Sequence, residues 1–131
     1  MGDSRGSRKS GASSELITYD TVRELALALP GVEESTSYGT PSLKVKTKFM
    51  ARLREDGESV VFKVGFDERD MLMQTRPSIF YITDHYRGYP AVLLRLSTAS
   101  QEDLEDVIEM AWRYAAPKRL LTQFEAGSPP D

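Results

Sequence analysis

From Ser42 to Phe66 the apolar residues fall at alternate positions: Leu43 and Val45, then Phe49, Ala51 and Leu53, and later Val60, Phe62, Val64 and Phe66. Successive side chains of a strand leave the backbone on opposite sides, so a period of two gives each segment one apolar and one polar face. Half-buried strands are expected here, with Glu55-Asp56-Gly57-Glu58 as a hairpin turn between two of them. A sheet that is apolar on one side has to be covered, and the flanking segments carry the period of helices.

Upstream, Val22, Leu25, Ala26 and Leu29 recur at helical spacing. Thr18 or Thr21 can cap the start, Glu24 lies three after Thr21, and Pro30-Gly31 ends the run. Asp67 to Thr75 fits a short helix capped by Asp67 and ended before Pro77. Ile79 to Ile82 and Ala91 to Leu96 read as two further strands. Leu104, Val107, Ile108, Ala111, Trp112 and Ala115 form one continuous stripe after Ser100, with Asp103 at the capping-box position. Pro117 interrupts this long helix, and Leu120, Leu121 and Phe124 suggest a short last helix beginning at Pro117. The order of helix, strands, helix, two strands and helix implies an α+β fold: a single domain with a mostly antiparallel sheet and helices packed on one face.

With 131 residues and 40% apolar content the chain can bury one core, so one domain is expected. Residues 1–15 are rich in Ser and Gly and carry Arg5, Arg8 and Lys9, which reads as a disordered basic tail. Residues 16–124 make the domain and 125–131 a flexible C-terminal tail. No stretch approaches the roughly 20 apolar residues of a membrane span, and the first residues lack the apolar region of a secretory signal. A cytoplasmic monomer without a membrane partner is expected. The chain has no cysteine, which removes disulfides, cysteine nucleophiles and iron-sulfur sites together. With one histidine, His85, neither a metal site nor a cofactor is expected.

The net charge of −3 is unevenly spread. Lys44, Lys46, Lys48, Arg52, Arg54 and Lys63 fall in the strand region, whereas Glu102, Asp103, Glu105, Asp106 and Glu109 crowd the long helix. Alternation sets Lys44 and Lys46 opposite Leu43 and Val45, and Arg52 and Arg54 opposite Phe49, Ala51 and Leu53. If the strands are neighbours, one sheet surface carries a cationic patch able to contact phosphates. The competing account is a solvated face whose lysines oppose edge-to-edge aggregation.

The segment Thr83 to Pro90, TDHYRGYP, concentrates His85, Tyr86, Arg87 and Tyr89. Imidazole titrates near neutrality, which makes His85 a candidate acid or base, with Tyr38, Glu33 or Glu34 as partners from other strands. No GxSxG elbow, Walker loop or HExxH pair accompanies it, and no enzymatic activity is expected. Tyr86 and Arg87 are candidate auxiliary contacts to nucleic acid, through stacking on bases. Tyr38, His85, Tyr86, Arg87 and Tyr89 together are the candidate pocket for a different ligand. A purely structural account has the tyrosines covering the sheet end, Trp112 in the core, and Met71 and Met73 filling gaps.

LPGVEES at Leu29 to Ser35, YGTP at Tyr38 to Pro41 leading into LKVK, HYRGYP at His85 to Pro90 and APKRL at Ala116 to Leu120 together resemble the MmcQ/YjbR family over about residues 18–124. Many of its members have a His-Trp pair before the late strand, where this chain has His85-Tyr86. The resemblance implies a CyaY-like fold with a "double wing" of β-hairpins and a predicted role in DNA binding. Two functional expectations follow. The first is a small non-catalytic protein that binds DNA through a basic β-hairpin face. The alternative is an interaction module that takes a protein or small ligand at the HYRGYP turn, with an enzyme using His85 a distant third.

Overall fold

The computed structural model describes residues 16–125; the basic stretch with Arg5, Arg8 and Lys9 and the residues after Glu125 lie outside them. Helix α1 (Tyr19–Leu27) starts after Thr18, whose amide donates to Thr21 Oγ1 at 3.2 Å, and it buries Val22 and Ala26. Four strands follow in a meander: β1 (Val32–Ser37), β2 (Thr40–Val45), β3 (Lys48–Leu53) and β4 (Ser59–Lys63). Helix α2 (Phe66–Thr75) leads to the short β5 (Phe80–Tyr81), and a single 3-10 turn (Asp84–Tyr86) precedes β6 (Ala91–Arg95). Helices α3 (Gln101–Ala115) and α4 (Lys118–Glu125) complete the chain. All pairings are antiparallel, in the order β1-β2-β3-β4-β6-β5, so β6 inserts between β4 and β5.

The α+β architecture is as expected, while several boundaries differ for physical reasons. β1 reads VEESTS, with no apolar alternation to announce it; it forms as an edge strand along β2, from Val32 opposite Val45 to Ser37 opposite Thr40. Tyr38 and Gly39 join the two strands with φ of 54° and 79°. Two positive φ values match the twist of a two-residue hairpin, and glycine accepts one of them without strain. Helix α2 is capped by Gly65, not Asp67; Phe66 is its first residue and Asp67 lies in its first turn, where a carboxylate suits the helix dipole. Only Phe80 and Tyr81 of the expected Ile79–Ile82 strand pair, with Leu94 and Leu93. Helix α4 runs through Glu125, one residue into the expected C-terminal tail.

One core lies between the helices and one sheet face. Leu43, Met50, Phe62, Leu72, Leu94, Leu104 and Trp112 have no exposed surface there. Each large apolar side chain so buried contributes about 1.5–3 kcal/mol before entropy is subtracted. Trp112 also satisfies its indole, donating from Nε1 to the Pro30 carbonyl at 2.8 Å, and Phe124 of α4 packs on it with ring centroids 4.9 Å apart. The junction of α2 and α3 is held by Arg76, whose two terminal nitrogens reach Asp103 at 2.9 Å and Asp106 at 2.7 Å. Asp103 also accepts from the Ser100 amide at 2.9 Å, closing the capping box.

The opposite sheet face has a smaller apolar centre: Val61, Ala91 and Leu93, with Tyr81 and Tyr86 packed against it. It is covered only in part, by the chain between β5 and β6.

Candidate functional site

The site begins with an irregularity in β3. Leu43 pairs with Ala51 and Lys44 with Phe49, which leaves Met50 as an extra residue on β3. Such a bulge shifts the alternation by one. Met50 and Ala51 both enter the core, and Phe49 turns to the open face beside Lys44, instead of sharing a face with Ala51 and Leu53 as strict alternation predicts.

The segment between β5 and β6 crosses that open face. It is not extended: Tyr86 N donates to Thr83 O at 2.9 Å, Arg87 N to Asp84 O at 3.1 Å and Tyr89 N to Tyr86 O at 3.0 Å. So short a turn leaves carbonyls without helical donors. The buried Arg69 of α2 supplies one, with Nη1 donating to the carbonyls of Tyr86, Arg87 and Tyr89 at 3.3, 3.2 and 3.1 Å.

Between this segment and the Tyr38-Gly39 hairpin tip lies a concave pocket of about 620 Å³. Phe49, Val61 and Ala91 give it an apolar base, and Arg52 and Lys63 bring positive charge from β3 and β4. Tyr38, His85, Tyr86 and Tyr89 surround it, with Glu55 as its acidic group. Tyr38 is 84% exposed and Tyr89 57%, so both rings are open to a ligand. His85 meets Tyr86 edge to face at 4.9 Å, and Tyr89 lies 6.1 and 6.4 Å from these two rings, tilted to both. Arg52 sits over the Tyr38 ring at 5.0 Å and contacts Thr40 Oγ1 at 3.4 Å, Glu55 at 3.5 Å and the Tyr86 hydroxyl at 3.5 Å. Glu55 is held below the ordinary carboxylate range by its own backbone amide and by Arg52, so it stays ionised.

The expected site residues divide sharply. Arg52, Lys63 and Tyr86 from the nucleic-acid set, and Tyr38, His85, Tyr86 and Tyr89 from the ligand set, line this one pocket. Lys44 shares the face, between Glu33 and Phe49 as cross-strand neighbours. Lys46 does not: it occupies the β2–β3 turn with φ of 58°, and its amide donates to Gly31 O at 3.0 Å. Lys48 is exposed beside that turn, opposite Val45. Arg54 is engaged by Asp56 at 3.7 Å, and Arg87 by Asp84, the carboxylate adjacent to His85. The six strand cations therefore do not converge into one patch, because the turn and the bulge interrupt the alternation that would align them. Glu34, a considered partner of His85, instead accepts from Arg23 at 3.0 Å. Phe49 and Glu55 were not among the expected pocket residues, nor was Arg69 expected to support it. The one signal for Phe49 was the run Phe49-Met50-Ala51, three apolar residues that a strict alternation cannot place on one side.

No helix among the described residues is long and apolar enough to cross a membrane. A crystal structure of the Deinococcus radiodurans protein DR2400, a DUF419 domain, superposes with a TM-score of 0.64 at 21% identity, covering 87% of this chain and 91% of that one. Its likeness establishes the fold. Uncharacterized protein Rv2570 of Mycobacterium tuberculosis and uncharacterized protein Mb2600 of Mycobacterium bovis are each 44% identical to the chain over 76 residues, 58% of this chain. The chain spans about half the length of these relatives, the matched part being 53% of each. The YjbR family model matches residues 27–114, a stretch that includes the whole sheet, the pocket and most of α3, and the chain belongs to the YjbR family.

Proposed function

We propose that this protein is a small non-catalytic DNA-binding module whose contact surface is the open face of the sheet. The observation that carries the reading is the pocket, where Arg52 and Lys63 meet four aromatic or imidazole side chains around an apolar base. Cations supply attraction to phosphate and rings supply stacking for bases. Lys44 on the same face adds a third charge. His85 is exposed and its side chain has no carboxylate hydrogen-bond partner among the described residues, which favours a contact role over proton transfer.

Fluorescence anisotropy of labelled DNA, single-stranded and duplex, at several salt concentrations tests this. With three cations engaged, log affinity falls against log salt with a slope of about −3 for duplex and about −2 for a single strand. Arg52→Glu and Lys63→Glu each weaken binding by roughly tenfold or more, while Lys46→Glu, at the far turn, has a small effect. Absence of binding to either form at low salt, or indifference to both pocket substitutions, overturns the proposal.

The concavity of the same pocket supports a second reading, a module for a small anionic aromatic ligand. It predicts saturable binding of such a molecule, abolished by Arg52→Glu, in a protein that ignores DNA.

A further inference from the structure

We infer that the pocket takes an unpaired base together with its phosphate, so that single-stranded DNA is bound in preference to the duplex. This rests on the DNA-binding reading above and adds the strand state. In a duplex the base faces are stacked against one another, and only phosphates and base edges are offered to a protein. A pocket with an apolar base and rings around it has no use for that surface. A single strand splays its bases, and base–aromatic stacking then becomes accessible.

Three features of the site fit such an occupant. Its volume of about 620 Å³ falls in the range of pockets that bind one small molecule and leaves room for a nucleotide. The rings are not stacked in parallel: His85 and Tyr86 meet at 85°, Tyr89 is tilted by 38° and 59° to them, and His85 and Tyr89 are exposed, so a base can reach these two rings. The cations can be redirected. Lys63 has no ion-pair partner among the described residues, and the contacts of Arg52 to Thr40, the Leu53 carbonyl, Glu55 and Tyr86 lie at 3.3–3.5 Å, the long end of hydrogen bonding. A phosphate oxygen can displace them at little cost.

The backbone behind Tyr86 and Tyr89 is fixed, because Arg69 holds the carbonyls of both. The rings are thus presented with little backbone entropy left to lose on binding. Because few cations converge, duplex affinity from phosphates alone is weak, and the stacked base supplies the difference.

The test compares one labelled oligonucleotide of mixed sequence, single-stranded and annealed, at equal salt, against the full chain and its Tyr89→Ala and Tyr114→Ala variants. Tyr114 is a comparably exposed tyrosine on α3, outside the pocket, and serves as the control. The single strand is expected to bind at least tenfold more tightly than the duplex. Tyr89→Ala should lower single-strand affinity by roughly tenfold and leave the duplex unchanged, with Tyr114→Ala without effect. Lys63→Gln should make the single-strand salt slope shallower by about 0.7, a readout independent of Tyr89. Equal binding of both forms, unaffected by Tyr89→Ala, overturns the strand assignment and leaves DNA binding standing. No binding of either form at low salt removes both. A free mononucleotide that competes as well as the oligonucleotide overturns the strand in favour of a soluble nucleotide.

Discussion

Tyr19 packs against the core with a buried hydroxyl that has no hydrogen-bond partner among the described residues, and burial, followed by the neighbouring Glu34, pushes its phenol up to about 12. The folded protein keeps this group neutral where the unfolded chain ionises it near 10.0. Its contribution is therefore fully present below pH 10 and lost as the pH rises toward 12. Tyr19→Phe removes an unsatisfied polar atom, so stability at pH 7 should stay equal or rise slightly, and the alkaline loss should flatten. Urea midpoints at pH 7, 10 and 11.5 check this; a marked loss at pH 7 would show that the hydroxyl has a partner after all. Arg69 presents the reverse case, a buried charge with three carbonyl acceptors and the Asp70 carboxylate beside it. Arg69→Met leaves the Arg87 carbonyl unpaired, while those of Tyr86 and Tyr89 keep the amides of Tyr89 and Ala91, and should cost about 1–3 kcal/mol. Faster amide exchange at Arg87 and Tyr89 would mark the loosened turn. Unchanged exchange there would mean that Pro90 and the 3-10 hydrogen bonds suffice.

Among the elements, the joint between α1 and β1 is the most exacting. Gly31 has φ of 77°, and a Cβ placed on it would meet Leu120 Cδ1 of α4 at 2.8 Å. Gly31→Ala should therefore combine a left-handed backbone penalty with displacement of the Leu120 side chain, about 2–3 kcal/mol in all and roughly 10 °C in melting temperature. A change under 2 °C in a calorimetric scan would refute this. The Pro30-Gly31 stop was legible in the sequence as the end of a helix, but its contact with α4 was not, since Gly31 and Leu120 are 89 positions apart. The same contrast recurs elsewhere. Helix α3 was readable because its stripe runs from Leu104 to Ala115 without interruption. Strand β1 was not, because an edge strand buries little and its pattern VEESTS has no apolar alternation. A turn was expected at HYRGYP, but its 3-10 geometry was hidden for another reason. His85, Tyr86 and Arg87 have no strong local preference, and it is Arg69 from a distant helix that fixes their backbone.

At the scale of the whole molecule, the long helix exposes Glu102, Glu105 and Glu109, while the opposite sheet face carries Lys44, Arg52 and Lys63. This lopsidedness was visible in the chain as two charge-rich stretches. Which cations cooperate was not, because a bulge at Met50 and a turn at Lys46 decide it, and both are settled by packing between strands. The insertion of β6 between β4 and β5 bears on how the protein acquires its site. Val61 of β4 and Ala91 of β6 meet at the pocket base only after α2, β5 and the crossing turn have been laid down. Closing so long a loop is slow relative to forming adjacent hairpins. During refolding, pulse-labelled amides of β2 and β3 should be protected before those of β6, and simultaneous protection would argue against this order. A chain still emerging from the ribosome would then hold a finished meander and no closed pocket, so that an intact pocket reports that folding is nearly complete.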